Sequence, residues 1–174
     1  VALLCGAYLM LVETEPFLSL FGKKSAAPLP LLPKDLRLIG GLAKNGPDGH
    51  FLTGSGAMDA QHQGLSHVAN DLRTAILSGQ PVYQVSVIID ALIGDLVQHF
   101  RDEEAILAAA DYPGTAKHTA LHRELVSSTA TLAKQFRAGT FGIGKLYEFL
   151  ARDVLSEHAL GADRDFALYM ESRG

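Results

Sequence analysis

Residues 82–110 read VYQVSVIIDALIGDLVQHFRDEEAILAAA. Val85, Ile88, Ile89, Leu92, Leu96, Phe100 and Leu107 recur at helical spacing, so this stretch predicts one long amphipathic helix with a single inward stripe. It is bracketed by breakers, with Ser78-Gly79 and Gln80-Pro81 before it and Asp111-Tyr112-Pro113-Gly114 after it. Working outward, a preceding helix is expected to start at Asp59 as N-cap. It runs through Leu65, Val68, Leu72, Ala75 and Ile76 to Ser78-Gly79. A third is expected over 115–137, closed by Ala138-Gly139. A fourth runs from near Phe141 to about Leu160, with Leu146, Phe149, Leu150, Val154 and Leu155 apolar. Four helices of similar length joined by short loops imply an all-α, up-down-up-down antiparallel four-helix bundle over residues 58–174.

The texture before Met58 is different, and residues 1–57 read as an N-terminal extension. SAAPLPLLPK (25–34) carries three Pro and predicts an extended connector, and further breaks follow at NGPDG (45–49) and GSG (54–56). At most two short helices are expected there, near 2–21 and 34–44. VALLCGAYLMLV (1–12) is by itself too short to cross a bilayer and is halted by Glu13 and Glu15, so it reads as a buried amphipathic or core segment, the alternative being the tail of a longer span. The chain starts without Met, which reads as a processed or excised piece.

A net charge of -4 and a pI near 5.9, with scattered basic residues, argue against nucleic acid as a partner. The single Cys5 excludes an internal disulfide, and a cytoplasmic location is expected.

Seven His in a chain without Trp stand out because of where they fall. MDAQH puts His62 one turn past Asp59. HFRDE puts His99 and Glu103 at i and i+4, on one helical face, with Asp95 a further turn back as a partner for the His99 imidazole. HTALH places His118 and His122 at i and i+4, a frequent metal-binding geometry. HALGAD separates His158 from Asp163 by five residues, which in a straight α-helix points them about 140° apart. The two share one site only if the helix widens there, or ends near Gly161. In an antiparallel bundle His62, His99, Glu103, His118, His122, His158 and Asp163 all fall toward one end. His50 and His67 do not fit and read as solvated.

The order D-x-Q-H, HF-x-x-EE, H-x-x-x-H, H-x-x-x-x-D, spread from about Phe51 to the end, resembles the bacterial hemerythrin family. The resemblance implies two Fe ions bridged by Glu103 and Asp163 and by an oxo or hydroxo group. It assigns His118, His122 and His158 to one iron and His62 and His99 to the other, with an open position for dioxygen. Adjacent Glu104 also matches a family residue but, one position on, is expected to face elsewhere in a structural role. Imidazole suits iron, zinc being the main competitor, and the carboxylate-rich Glu-x-x-His pattern of other di-iron bundles is absent.

The implied function is reversible dioxygen binding without turnover, for sensing, carriage or delivery. Two alternatives stay open: a di-iron oxidase, peroxidase or nitric oxide reductase, and a metal-binding or iron-handling domain. Where the family has an aromatic residue four before the matching His158 and a branched aliphatic after it, this chain has Val154 and Ala159, while Leu65 and Leu155 keep the apolar type. A roomier oxygen pocket is expected, with fast autoxidation and ready binding of small anions such as azide. Residues 1–57 offer a place for a signalling or membrane-associated partner.

Overall fold

The computed structural model describes Thr53 and residues 55–173. The helices expected near 2–21 and 34–44, the Pro-rich connector, Cys5 and His50 lie outside the described residues.

Four helical rods form the bundle: Gly56–Leu77, Val82–Ala109, Thr115–Arg137, and a fourth that begins at Ile143 and runs to Glu171. Each packs on its neighbour in sequence, and the fourth returns against the first. No helix among the described residues is long and apolar enough to cross a membrane.

Side chains dictate this arrangement. Leu72, Ile76, Val85, Ile89 and Leu146 lose all accessible surface in the main core, each contributing about 1.5–3 kcal/mol of transfer free energy. A smaller cluster of Met58, Leu107 and Phe166 closes the end where the first helix starts and the fourth stops. Tyr112 and Tyr169 lean on it, with the Tyr169 hydroxyl 3.2 Å from the carbonyl oxygens of Ala110 and Asp111.

The helix ends follow one pattern. Gly79 (φ 68°) and Gly139 (φ 71°) turn left-handed just past the first and third helices. There Gln80 N–H donates back to the Ala75 carbonyl and Thr140 N–H to that of Gln135, satisfying carbonyls the helix leaves open. After the second helix the same turn is made by Asp111 (φ 50°), a residue type that tolerates this region.

Two boundaries differ from the sequence expectation. The first helix begins at Gly56, with Ser55 as the last extended residue, so Asp59 lies in the first turn instead of capping it. The Asp59 carboxylate accepts from the Thr53 backbone N–H at 2.7 Å and its hydroxyl at 2.9 Å, drawing the incoming chain over the first turn. The fourth helix does not stop near Leu160. It is α-helical over Ile143–Phe149, widens to a π-helix over Leu150–Glu157 and Ala159–Asp163, and returns to α-helix over Arg164–Glu171. Gly161 therefore ends nothing.

Candidate metal centre

Widening decides the site. Hydrogen bonds that reach five residues instead of four bring a five-residue step back toward its starting face. Asp163 accordingly lies beside His158, with Oδ1 3.0 Å from the imidazole Nε2. Of the two conditions under which these residues could meet, the protein uses the first.

From the second helix, the i, i+4 pair His99 and Glu103 points inward, Nε2 to Oε2 3.8 Å. His118 and His122, one turn apart on the third helix, enter from across the bundle. Their Nε2 atoms lie 3.5 Å from Glu103 Oε1 and 3.1 Å from Glu103 Oε2 respectively. His118 Nε2 is also 3.2 Å from Asp163 Oδ1, and the first helix adds His62, with Nε2 3.3 Å from Asp163 Oδ2. All seven residues singled out by spacing thus meet at one end of the bundle.

They form two overlapping sets. Glu103, His118, His122, His158 and Asp163 converge on one point, and His62, His99 and Asp163 on another, with Asp163 common to both. The first set is buried throughout. His62 is the edge of the second, its side chain 17 % exposed against 0 % for Asp163. His67 is exposed on the same helix and outside the cluster.

Outer contacts dictate which nitrogen of two imidazoles carries the proton. Asp102 can only accept, so the Gln61 amide nitrogen donates to it at 2.7 Å and turns its own oxygen to His99. His99 Nδ1–H donates to that oxygen at 3.0 Å, leaving Nε2 with a lone pair. His122 Nδ1–H donates to Glu104 Oε1 at 3.0 Å with the same result. Glu104 therefore does stand outside the cluster, but it steadies a member of it.

Asp95, the expected partner of His99, is exposed, and Gln61 takes its place from the neighbouring helix. Neither Gln61 nor Asp102 was singled out from sequence, although Gln61 lies inside the MDAQH motif and Asp102 inside HFRDE. Tyr147 is buried in the main core and Tyr112, partly buried, packs against the closing cluster; neither belongs to the metal cluster.

With their protons held outward, His99 and His122 turn electron pairs inward. The Nε2 atoms of His62 and His99 face each other at 3.1 Å, and those of His122 and His158 at 3.0 Å. Both oxygens of Glu103 and of Asp163 are buried and, among the described residues, meet no hydrogen-bond donor beyond the cluster's own imidazoles. Such a set asks for positive charge at its centre, and neutral imidazoles with carboxylates fit a cation of the transition series.

Without one, protons do part of the work. Burial pushes the Glu103 and Asp163 carboxyls up, but hydrogen bonds from the surrounding imidazoles outweigh it and hold both well below the usual carboxylate range. Burial opposes charging of His118 too, yet Asp163 and Glu103 raise it to about 9. His99 goes the other way, lowered to about 4 by burial and by neighbouring His62.

Residues 53–167 match the model of the hemerythrin HHE cation binding domain. The chain belongs to the hemerythrin family. Over 114 residues it is 32% identical to a bacteriohemerythrin of Methylococcus capsulatus (strain Bath), covering 66% of this chain and 86% of that relative. The hemerythrin domain thus takes in the first three helices and most of the fourth, and its buried cluster is a metal-binding site.

Val154 and Leu65 are buried in the main core of the hemerythrin bundle, with Leu155 packed against it and Ala159 half-buried. Phe100, next to His99, lies against His122 and meets His158 edge-on at 5.2 Å between ring centroids. An aromatic side chain therefore does sit beside His158, delivered by the second helix.

Proposed function

We propose that this hemerythrin domain binds two iron ions and, through them, dioxygen reversibly. The observation carrying the reading is the pair of overlapping inward sets that share Asp163. Seven donors are too many for one ion and suit two held side by side. In this reading His118, His122 and His158 hold one iron, His62 and His99 the other, and Glu103 and Asp163 bridge.

Five imidazoles and two carboxylates favour iron over the oxygen-seeking magnesium and calcium ions. When bound, an iron pair supplies the electrons and the open position that dioxygen needs. The chain's own contribution is to exclude water, as the burial of Glu103, His118, His122, His158 and Asp163 supports. The partly exposed His62 marks the side from which a small ligand arrives.

The first helix starting at Gly56 and the family match starting at residue 53 move the boundary expected at residue 57 back, and residues 1–52 are proposed to lie outside this unit, as a place for a partner that connects it to signalling or to a membrane surface. The deciding experiment is a metal count with visible spectra of the reduced protein before and after exposure to air. Two irons per chain, with an absorption that appears in air and vanishes when oxygen is removed, is the expected result. One zinc per chain with no visible absorption rules the reading out, and steady oxygen consumption without recovery points to an oxidase.

A further inference from the structure

Gln61 has no part in the ligand set, yet its position allows only one kind of side chain. It must accept a hydrogen bond from His99 Nδ1 and, within the same group, donate one to Asp102. Asp102 is itself fixed, since the Gln98 amide donates to its other oxygen at 2.8 Å. A carboxylate at position 61 would accept from His99 but face Asp102 charge against charge. A hydrocarbon would do neither.

The two sides of the centre are supported differently. His122 donates to the carboxylate of Glu104, whereas His99 donates to a neutral amide, with the charge one link further out on Asp102. The other imidazole of the His99 side, His62, has a buried Nδ1 with no hydrogen-bond partner among the described residues. The Gln61 contact is thus the outer support of that side.

We infer that Gln61, held by Asp102, is a positioning residue that fixes the Nδ1–H form of His99 and thereby sets the affinity of the metal position formed by His62 and His99. The inference rests on the two-metal reading. Losing such an outer contact typically costs a site roughly 10–100-fold in metal affinity. Here the loss falls on one equivalent of metal and spares the other, because the hydrogen bonds of the Gln61 amide go to His99 and Asp102 and those of His122 to Glu104 and His158.

The test is anaerobic titration of the full chain with Fe(II), following each equivalent, in wild type, Gln61→Leu, Gln61→Glu and the double variant Gln61→Glu/Asp102→Asn. Gln61→Leu is expected to weaken the second equivalent roughly 10–100-fold and leave the first in place. Gln61→Glu alone is expected to bind the second equivalent poorly. The double variant is expected to recover it, because a carboxylate at 61 then accepts from both His99 and the amide at 102. Nitrogen NMR of the metal-free protein gives a reading independent of metal: the His99 proton stays on Nδ1 in wild type and in the double variant, and is shared between nitrogens in Gln61→Leu. Equal weakening of both equivalents, no weakening in Gln61→Leu, or a double variant no better than Gln61→Glu overturns the inference. A wild-type chain that takes up one equivalent only overturns the two-metal reading first.

Discussion

The Phe100 ring lies flat on the imidazole of His122, with centroids 3.8 Å apart and planes within 7°. His122 is consequently clamped on two sides, by this face and by the Glu104 carboxylate at its Nδ1. Phe100 is 3 % exposed, so truncation leaves a cavity against the site. Phe100→Ala is expected to cost about 3–5 kcal/mol of unfolding free energy, read by denaturant titration of the metal-free protein. Metal retention is expected to fall as well, since the His122 ring is then free to turn.

Glu103 faces four imidazoles: His118, His122, His99 and His158. As a proposed bridge it holds both ions, whereas each His holds one. Glu103→Ala is therefore expected to lose both metals, and His122→Ala to keep more of them. Metal analysis of the two purified variants checks this; a Glu103→Ala protein that keeps both irons would remove the bridging role.

The metal-free protein should be pH-sensitive on both sides. His118, raised from its ordinary 6.5 to about 9, contributes stability that is fully present below pH 6.5 and is lost as pH rises through 9. Glu103 and Asp163 are depressed, so their contribution is present above the ordinary carboxylate range and fades as pH falls below it. His99, lowered to about 4, costs stability as pH falls below 6.5, so thermal melts of the metal-free chain are expected to peak near pH 6.5. Bound metal removes the need for the His118 proton, so the alkaline decline should disappear in the loaded protein. An alkaline decline of equal size in both forms contradicts the assignment.

Ala159 is half-buried and follows His158 in the chain, and we propose that it limits the bulk on that side of the centre. Ala159→Ile is expected to slow autoxidation several-fold and to weaken azide binding by taking up space that water and small anions use. Stopped-flow spectroscopy of the oxygenated form measures the first and an azide titration the second. Unchanged values in both show that the path lies elsewhere, with Phe100 already filling the gap.

A chain beginning at Phe51 keeps Thr53 and its two hydrogen bonds to Asp59 and is expected to fold and bind metal as the full chain does. One beginning at Asp59 loses those bonds together with Met58, which is fully buried, and is expected to melt at lower temperature. Poor folding of the first form shows that residues before Phe51 cover part of the bundle.

Much of this was legible in the sequence, because helical periodicity and i, i+4 spacing are local facts that survive folding. The second and third helices end where their breakers predict, and the inward pairs His99 and Glu103, and His118 and His122, follow from their own helix faces. What was not legible depended on contacts between helices. Asp95 is well placed by spacing for His99, yet Gln61 reaches the imidazole from another helix, and no reading of one helix at a time reveals that. The first helix starts early because Asp59 binds Thr53, a pairing six residues apart and before any periodic signal. The fourth helix runs on past Leu160 because its widened turns absorb Gly161, which elsewhere would stop it.

Those widened turns also set the phase of everything after them. Phe166 meets Met58 and Leu107 only because the chain leaves Asp163 with the rotation that the π-helical stretch has given it. Tightening this stretch by one residue would swing the last two turns about 100° around their axis. Phe166 would leave the closing cluster at the same moment that Asp163 left His158. The seal at the end of the bundle and the geometry of its metal centre are therefore a single choice of register, and neither can drift without the other.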